Sequence, residues 1–223
     1  TTPTPASGVR RFAGDDRYGT AVMASLGMFP QGAGTVVIAS GEDWPDALGG
    51  SALAGVVDGP LLLTRSNGLP AEVRDEIVRL GATKVYILGG TGAVSTIAEA
   101  EIRGLLGAAN VRRIGGADRY ETARLIAAEV IWLKGGAYDG MALVASGGTF
   151  ADALAASPLE AAKGWPIRLA EPNGDVDGDG SITSAVVLGG AGAVSQTTLD
   201  GLIAALGETH VTRIGGESRY ETA

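Results

Sequence analysis

The segment Val9-Arg-Arg-Phe-Ala-Gly-Asp-Asp-Arg-Tyr18 decides the fold, because the chain contains it three times. It returns as Val111-Arg-Arg-Ile-Gly-Gly-Ala-Asp-Arg-Tyr120 and as Val211-Thr-Arg-Ile-Gly-Gly-Glu-Ser-Arg-Tyr220, so successive copies lie about 100 residues apart. A fixed period of this length indicates tandem copies of one folded unit.

Two further blocks recur in the same order, which excludes chance. Ala39-Ser-Gly-Glu-Asp-Trp-Pro-Asp-Ala-Leu48 returns as Ala145-Ser-Gly-Gly-Thr-Phe-Ala-Asp-Ala-Leu154. Leu88-Gly-Gly-Thr-Gly-Ala-Val-Ser95 returns as Leu188-Gly-Gly-Ala-Gly-Ala-Val-Ser195. The repeats predict four segments: a Thr/Pro linker over 1–8, a first repeat over 9–110, a second over 111–210, and the start of a truncated third over 211–223.

Within a unit, short apolar runs alternate with stretches of helical periodicity. In the first unit the pattern predicts strands over 35–39, 60–64, 84–88 and 111–114, and helices over 46–57, 70–80 and 95–106. Strands that alternate with helices through short connections form a parallel sheet with right-handed crossovers. The sequence therefore predicts an α/β fold of tandem repeats, each a small parallel sheet flanked by helices.

The second unit lacks a counterpart of the helix near residues 71–80 and carries an acidic stretch over 173–182 instead. Asp175, Asp177 and Asp179 stand at positions 1, 3 and 5 of a calcium loop, followed by a glycine at position 6. The closing glutamate is missing, because Val186 occupies position 12. Either a carboxylate such as Glu171 completes a calcium site, or the stretch is a solvated acidic turn.

The composition of the chain argues against several classes of function. The chain has 17 Lys and Arg against 25 Asp and Glu, a net charge of -8 that opposes binding to nucleic acid. No cysteine is present, so thiol catalysis and Cys-ligated metal sites are excluded. No apolar stretch approaches the roughly 20 residues of a membrane helix. Ser40 and Ser146 end strands without a base repeated beside them, and His210 is the one histidine, so no catalytic site is predicted.

The three blocks together resemble the cell wall binding repeat 2 family, whose repeats occur, usually three in tandem, in surface proteins of Gram-positive bacteria. The resemblance covers nearly all of the chain from Val9 onward. It implies Rossmann-like repeats packed around a pseudo-threefold axis, and a secreted, non-enzymatic anchor that binds an anionic polymer of the cell wall noncovalently. It implies no required cofactor. The truncated third repeat and the missing helix depart from the family pattern.

Candidate binding residues come from the repeated blocks. The Gly-Gly-x-Gly-Ala-Val-Ser loops stand between a strand and a helix, where free N–H groups can hold an anion. They differ from a dinucleotide fingerprint, since a serine replaces its third glycine. The serine is alternatively a helix cap. The candidate polymer-binding residues are Arg17, Arg119, Arg213, Gly90, Ser95, Gly190 and Ser195.

The charged residues at fixed places in the repeats have a structural interpretation as well. We expect Arg17 and Arg119 to form structural pairs with Asp46 and Asp152, because an arginine fork holds a carboxylate through two hydrogen bonds. These pairs would lock the opening segment of a repeat onto the edge of the sheet.

Two functions compete. The first is an anchor that binds an anionic wall polysaccharide through a local cluster of donors, which an acidic protein can also present. The second is an assembly module, in which another chain completes the third repeat and produces a homo-oligomer. A wall-degrading enzyme ranks third.

Overall fold

Two four-stranded parallel sheets form the framework of the molecule. The structure is a computed structural model and describes residues 10–172, 174, 176, 180–216 and 219–222. The strands are β1 (Thr35–Ser40), β2 (Leu61–Thr64), β3 (Lys84–Leu88), β4 (Val111–Ile114), β5 (Met141–Ser146), β6 (Ile167–Ala170), β7 (Ser184–Leu188) and β8 (Val211–Ile214). Their orders are β2-β1-β3-β4 and β6-β5-β7-β8. The prediction of tandem Rossmann-like α/β repeats is confirmed.

Helices cover both sheets. Among the described residues, none of them is long and apolar enough to cross a membrane. The helices are α1 (Arg17–Met28), α2 (Pro45–Leu48), α3 (Gly50–Val56), α4 (Ala71–Leu80), α5 (Thr96–Leu106), α6 (Arg119–Lys134), α7 (Ala151–Lys163), α8 (Gln196–Leu206) and α9 (Arg219–Thr222), with short 3₁₀ turns at Ala108–Asn110, Gly135–Ala137 and Glu208–His210.

The predicted helix over 46–57 is two helices. Helix α2 ends at Leu48 and α3 begins at Gly50. At Gly50 a Cβ atom would lie 2.5 Å from the Leu61 side chain and 2.8 Å from that of Leu88. Glycine therefore lets α3 begin in direct contact with the sheet, which a longer side chain would prevent.

Helices α1 and α6 begin with the Arg-Tyr motif and were not predicted. The residue before each motif caps the helix: Asp16 accepts from the N–H groups of Tyr18 and Gly19, and Asp118 accepts from that of Glu121. An aspartate at this position is a helix-start signal, because it satisfies N–H groups that lack partners within the helix. The signal was present in the sequence.

The opening motif of each repeat closes the sheet of the repeat before it. Strand β4 (Val111–Ile114) pairs with β3, and β8 (Val211–Ile214) pairs with β7. The motif is therefore shared, since its Ile-Gly-Gly part belongs to one sheet and its Arg-Tyr part begins the first helix of the next repeat. A boundary drawn at residue 110 separates β4 from the sheet that it completes.

The two repeats share a continuous core. On the face of the first sheet that contains Tyr86 and Leu88, α6 contributes Ile126 and Val130 to one apolar cluster. Glu129 of α6 is also buried there. It accepts a hydrogen bond from the Tyr86 hydroxyl at 2.9 Å and pairs with Arg112 at 2.7 Å. Because both charges of Glu129 and Arg112 are paired, this polar contact fixes α6 against the first sheet.

The helix missing from the second repeat is confirmed for the described residues between β6 and β7, none of which is helical. In the first repeat, Val73 and Ile77 of α4 pack on the sheet beside Leu62. The position of Leu62 is taken in the second repeat by Arg168, which is only 2% exposed. Loss of the covering helix thus accompanies a change from an apolar to a charged side chain on that face.

Candidate functional site

All three repeated blocks meet at the carboxyl edge of each sheet. Gly115, after β4, lies so close to the Gly89–Gly90 loop that a Cβ atom would be 2.5 to 2.7 Å from its backbone. Gly215 has the same relation to Gly189–Gly190. Only glycine allows two backbones to approach this closely. The Gly-Gly pair of the first block therefore packs directly against the Gly-Gly pair of the third block in each sheet.

The Arg-Tyr motif clamps the strand end in the second block. Arg17 donates from Nη1 to the carbonyl of Gly41, and Arg119 donates from Nη1 to that of Gly147 at 3.0 Å. The Tyr18 ring covers Gly41 in the first repeat, where a Cβ would collide with the ring. Each arginine therefore holds the strand end of its own repeat through a backbone carbonyl.

Asp46 and Asp152 do not form the expected pairs with Arg17 and Arg119. Within the described chain, no ion pair joins Arg17 to Asp46 or Arg119 to Asp152. Asp46 packs against Gly89, and Asp152 packs against Gly189. Burial raises the pKa of Asp46, while a hydrogen bond with Thr122 and the charge of Arg119 lower it in part. Asp46 therefore faces the opening motif of the following repeat, because the chain that leaves β4 continues into α6, where Thr122 lies beside Asp46.

The glycine-rich loops are tight turns with a capped helix behind them. Gly89 and Gly189 have φ angles of +96° and +93°, which favour glycine. Ser95 accepts from the N–H of Ala98 at 3.2 Å, and Ser195 accepts from that of Thr198 at 3.1 Å. The capping interpretation is thus confirmed, and a polymer contact at Gly90, Ser95, Gly190 or Ser195 stays a prediction.

Arg213 supports the second of these loops. Its Nη2 donates to the carbonyl of Val194 at 2.8 Å and to that of Ser195 at 3.2 Å. Arg113, its counterpart, donates to the carbonyls of Gly89, Gly90 and Val94 and also pairs with Glu99 at 2.8 Å. In the described chain no such carboxylate partner is found for Arg213.

Two cavities are lined by residues of both repeats. A polar cavity of about 230 Å³ lies between the ends of β1, β3 and β4 and is lined by Asp43, Asp46, Gly90 and Arg119. An apolar cavity of about 380 Å³ is lined by Trp44, Leu63, Phe150 and Leu154. The polar cavity occupies the point where the strand order reverses, the usual ligand position in an open α/β sheet.

Aromatic residues at this junction were not singled out from the sequence. Trp44 and Phe150 occupy the same position of the second block in successive repeats. Their ring centroids are 5.5 Å apart, and the Arg119 guanidinium lies 5.3 Å from the Trp44 ring. The recurrence of an aromatic residue at this position in both copies of the second block is the signal that could have identified them.

The family pattern described as cell wall binding domain 2 (CWB2) matches residues 11–99 and 113–199. The chain belongs to this family. The two CWB2 repeats therefore make up most of the chain. The chain is a cell wall binding module of cell-surface proteins.

Solved structures and curated proteins resemble this CWB2 chain, among them the following four. Cwp6 from Clostridium difficile has 31% identity and a TM-score of 0.84, and Cwp8 has 29% and 0.82; each match covers 95% of this chain. The N-acetylmuramoyl-L-alanine amidase LytC of Bacillus subtilis is 35% identical over 96% of this chain, and the amidase enhancer of that species is 32% identical over 95%.

The chain spans only part of each relative. It covers 42% of LytC, 28% of the amidase enhancer, 34% of Cwp6 and 36% of Cwp8. The activity named for LytC is therefore a property of that protein, of which this chain matches less than half. The region matched in each of the four covers at least 95% of this chain, which includes most of its two CWB2 repeats.

The serines and the histidine considered for catalysis have local partners. Ser40 accepts from the N–H groups of Glu42 and Asp43, and Ser146 accepts from that of Gly148. His210 lies within hydrogen-bond distance of Ser184 on the surface. The structure thus does not bring His210 to either strand-end serine.

The calcium prediction falls on residues outside the described part of the chain. Asp175, Asp177 and Asp179 are not described. Within the described residues, no group of three His, Asp or Glu side chains is arranged to hold a metal ion. Calcium binding by the acidic stretch stays a prediction.

Proposed function

We propose that this CWB2 module is part of a secreted protein and holds it at the cell surface by binding an anionic polysaccharide of the wall noncovalently. Membership of the CWB2 family supports the wall as the target. The proposal requires no cofactor and no covalent step.

The observation that carries the proposal is the state of three arginines. Arg17, Arg119 and Arg213 donate to backbone carbonyls, and no described carboxylate lies within 4.0 Å of them. A carbonyl orients a guanidinium without neutralising its charge. The remaining donors of Arg17 and Arg119 can therefore bind carboxylate or phosphate groups, and Arg213 adds positive charge through a guanidinium whose Nε is buried. This local positive charge supports anion binding on a chain with a net charge of -8.

The arginine site occurs in both repeats. Binding at each site can therefore be weak while binding of the whole module is strong. Arg17 and Arg119 hold equivalent places in the two repeats, at Gly41 and Gly147. A polymer carries many identical charged groups, so binding at one repeat raises the local concentration at the next. We therefore expect affinity to depend on the number of intact arginine sites.

Replacing Arg17, Arg119 and Arg213 together with glutamine is expected to abolish wall binding. Each lost charged hydrogen bond weakens binding by about tenfold, and the three losses combine across the polymer. The measurement is cosedimentation with purified Gram-positive walls, before and after chemical extraction of the anionic polymers. Wild-type binding should disappear after extraction.

The matched control is Arg74→Gln, which removes one charge from an exposed pair with Glu101. It should bind like wild type, because its arginine is already neutralised. Equal binding of wild type to extracted and intact walls would show that the anionic polymer is not the ligand. Release of soluble wall fragments would favour an enzyme instead.

An apolar groove favours assembly as a second candidate function. Helices α1, α3 and α7 enclose a groove of about 510 Å³ that includes Met28, Gly55 and Ala161. Met28 is 70% exposed. A further repeat or a second chain would bury this apolar surface. Sedimentation equilibrium should then show mass increasing with concentration, and Met28→Glu should keep the chain monomeric; a monomer at all concentrations excludes assembly between copies.

A further inference from the structure

Helices α2 and α7 begin with an aromatic residue where a polar cap is the rule. Trp44 and Phe150 are the N-cap residues, and neither makes a side-chain hydrogen bond to the helix. Serine, threonine, aspartate or asparagine at this position stabilises a helix by about 1 kcal/mol relative to an apolar residue. Both repeats thus lack a polar cap at this helix and have an aromatic ring at the N-cap position. The Phe150 residue is 43% exposed.

The two rings meet although about 100 residues separate them in sequence. Their centroids are 5.5 Å apart and their planes are inclined by 53°. Together they border the apolar cavity of about 380 Å³ at the repeat junction, a volume within the range of ligand sites. The pair is therefore a continuous apolar wall contributed by both repeats.

Hydrogen-bonding groups stand directly beside this wall. Arg119 lies over the Trp44 ring and also lines the polar cavity of about 230 Å³, together with Asp43 and Asp46. Carboxylates accept hydrogen bonds and the guanidinium donates them. An apolar face next to a row of donors and acceptors has the amphipathic character of a sugar ring, with C–H groups on its face and hydroxyl groups at its edge.

We infer that Trp44 and Phe150 form a stacking platform for an uncharged sugar ring of the wall polysaccharide, with Asp43, Asp46 and Arg119 receiving its hydroxyl groups. This inference rests on the proposed wall-binding function. The electron-rich face of an aromatic ring attracts polarised C–H groups. An apolar protein partner fits less well, because it would remove Asp43 and Asp46 from water without replacing their hydrogen bonds.

The test compares Trp44→Leu and Phe150→Leu with the control Trp132→Leu. Leucine keeps an apolar side chain but lacks the flat ring, and Trp132 is a 70% exposed aromatic residue of α6 outside the platform. Cosedimentation with intact purified Gram-positive walls is measured at low and at high salt. Each platform variant should bind about tenfold more weakly at both salt concentrations, because stacking is not screened by salt. The control should bind like wild type, and thermal unfolding verifies that all variants are folded.

The outcomes separate this inference from the proposed function. Wild-type binding that is unchanged in both platform variants overturns the platform and leaves wall binding intact. Failure of wild type to bind intact walls overturns both. Unchanged wall binding together with a lower mass of the platform variants in sedimentation assigns the rings to contacts between chains, and this also overturns the inference.

Discussion

Replacing Glu160 with glutamine is expected to stabilise the protein by about 4 kcal/mol at pH 8 and to remove most of the decline in stability between pH 5 and pH 8. Glu160 lies in α7 and is fully buried. In the described chain neither carboxylate oxygen has a hydrogen-bond partner, although the backbone of Ala52 is near enough to lower its pKa slightly. Burial dominates and raises the pKa of Glu160 from 4.5 to about 8.

The sign of the effect follows from proton binding. Because the folded state holds this proton more tightly than the unfolded state does, folding is favoured by acid. The contribution is fully present below pH 4.5 and is lost as the pH rises to about 8, above which stability no longer depends on this group. Each pH unit in that window costs about 1.4 kcal/mol, and glutamine has no proton to lose.

The measurement is the free energy of unfolding in urea at several pH values from 5 to 9. Glu160→Gln and wild type should agree near pH 5 and diverge steadily above it. Glu208→Gln changes an exposed glutamate of the same repeat and should follow wild type throughout. Parallel curves for Glu160→Gln and wild type would contradict a buried, protonated Glu160.

The second large effect is expected at the contact between the repeats. Gly55→Ala should destabilise the protein by about 1 to 3 kcal/mol, because the added methyl group has no room. A Cβ atom at Gly55 would lie 2.6 Å from the Cα of Ala161 in α7. The obstacle is backbone and cannot rotate away, so α3 and α7 would have to move apart.

Gly104→Ala provides the matched control, since Gly104 also lies inside a helix but has nothing within 4 Å of the Cβ position. Alanine favours helix, and this control should gain about 0.5 to 1 kcal/mol. Urea unfolding of both variants gives the comparison. A Gly55→Ala protein as stable as wild type would show that α3 and α7 are farther apart than 2.6 Å contacts imply.

The shared motif explains how binding and architecture are linked in this CWB2 chain. Arg119 begins the second repeat, yet it lines a cavity with Asp46 and Gly90 of the first. A candidate site at a repeat junction is therefore complete only when the following repeat is folded in place. Under the proposed function, wall binding at this junction should depend on the packing of α3 on α7, and Gly55→Ala offers a way to examine that coupling.

Part of the candidate site was accessible from sequence alone. The repeated blocks located the loops, and glycine and serine types predicted the turns and the helix caps at Ser95 and Ser195. The partners of Arg17 and Arg119 were not predicted correctly, because a carboxylate elsewhere in the repeat was as plausible as the carbonyls of Gly41 and Gly147. The chemistry of arginine limits its partners to hydrogen-bond acceptors. The tertiary structure decides which acceptor lies within reach.

The sequence by itself determined the repeat order, the parallel α/β layers and the lack of a counterpart of α4 among the described residues of the second repeat. These features depend on periodicity, caps and glycines within a few residues of each other, so they are encoded locally. Only the tertiary structure decided that β4 closes the preceding sheet, that Trp44 meets Phe150, and that Glu160 is buried. Each of these depends on the packing of elements from different repeats, and local sequence patterns carry no information about which distant surface will exclude water.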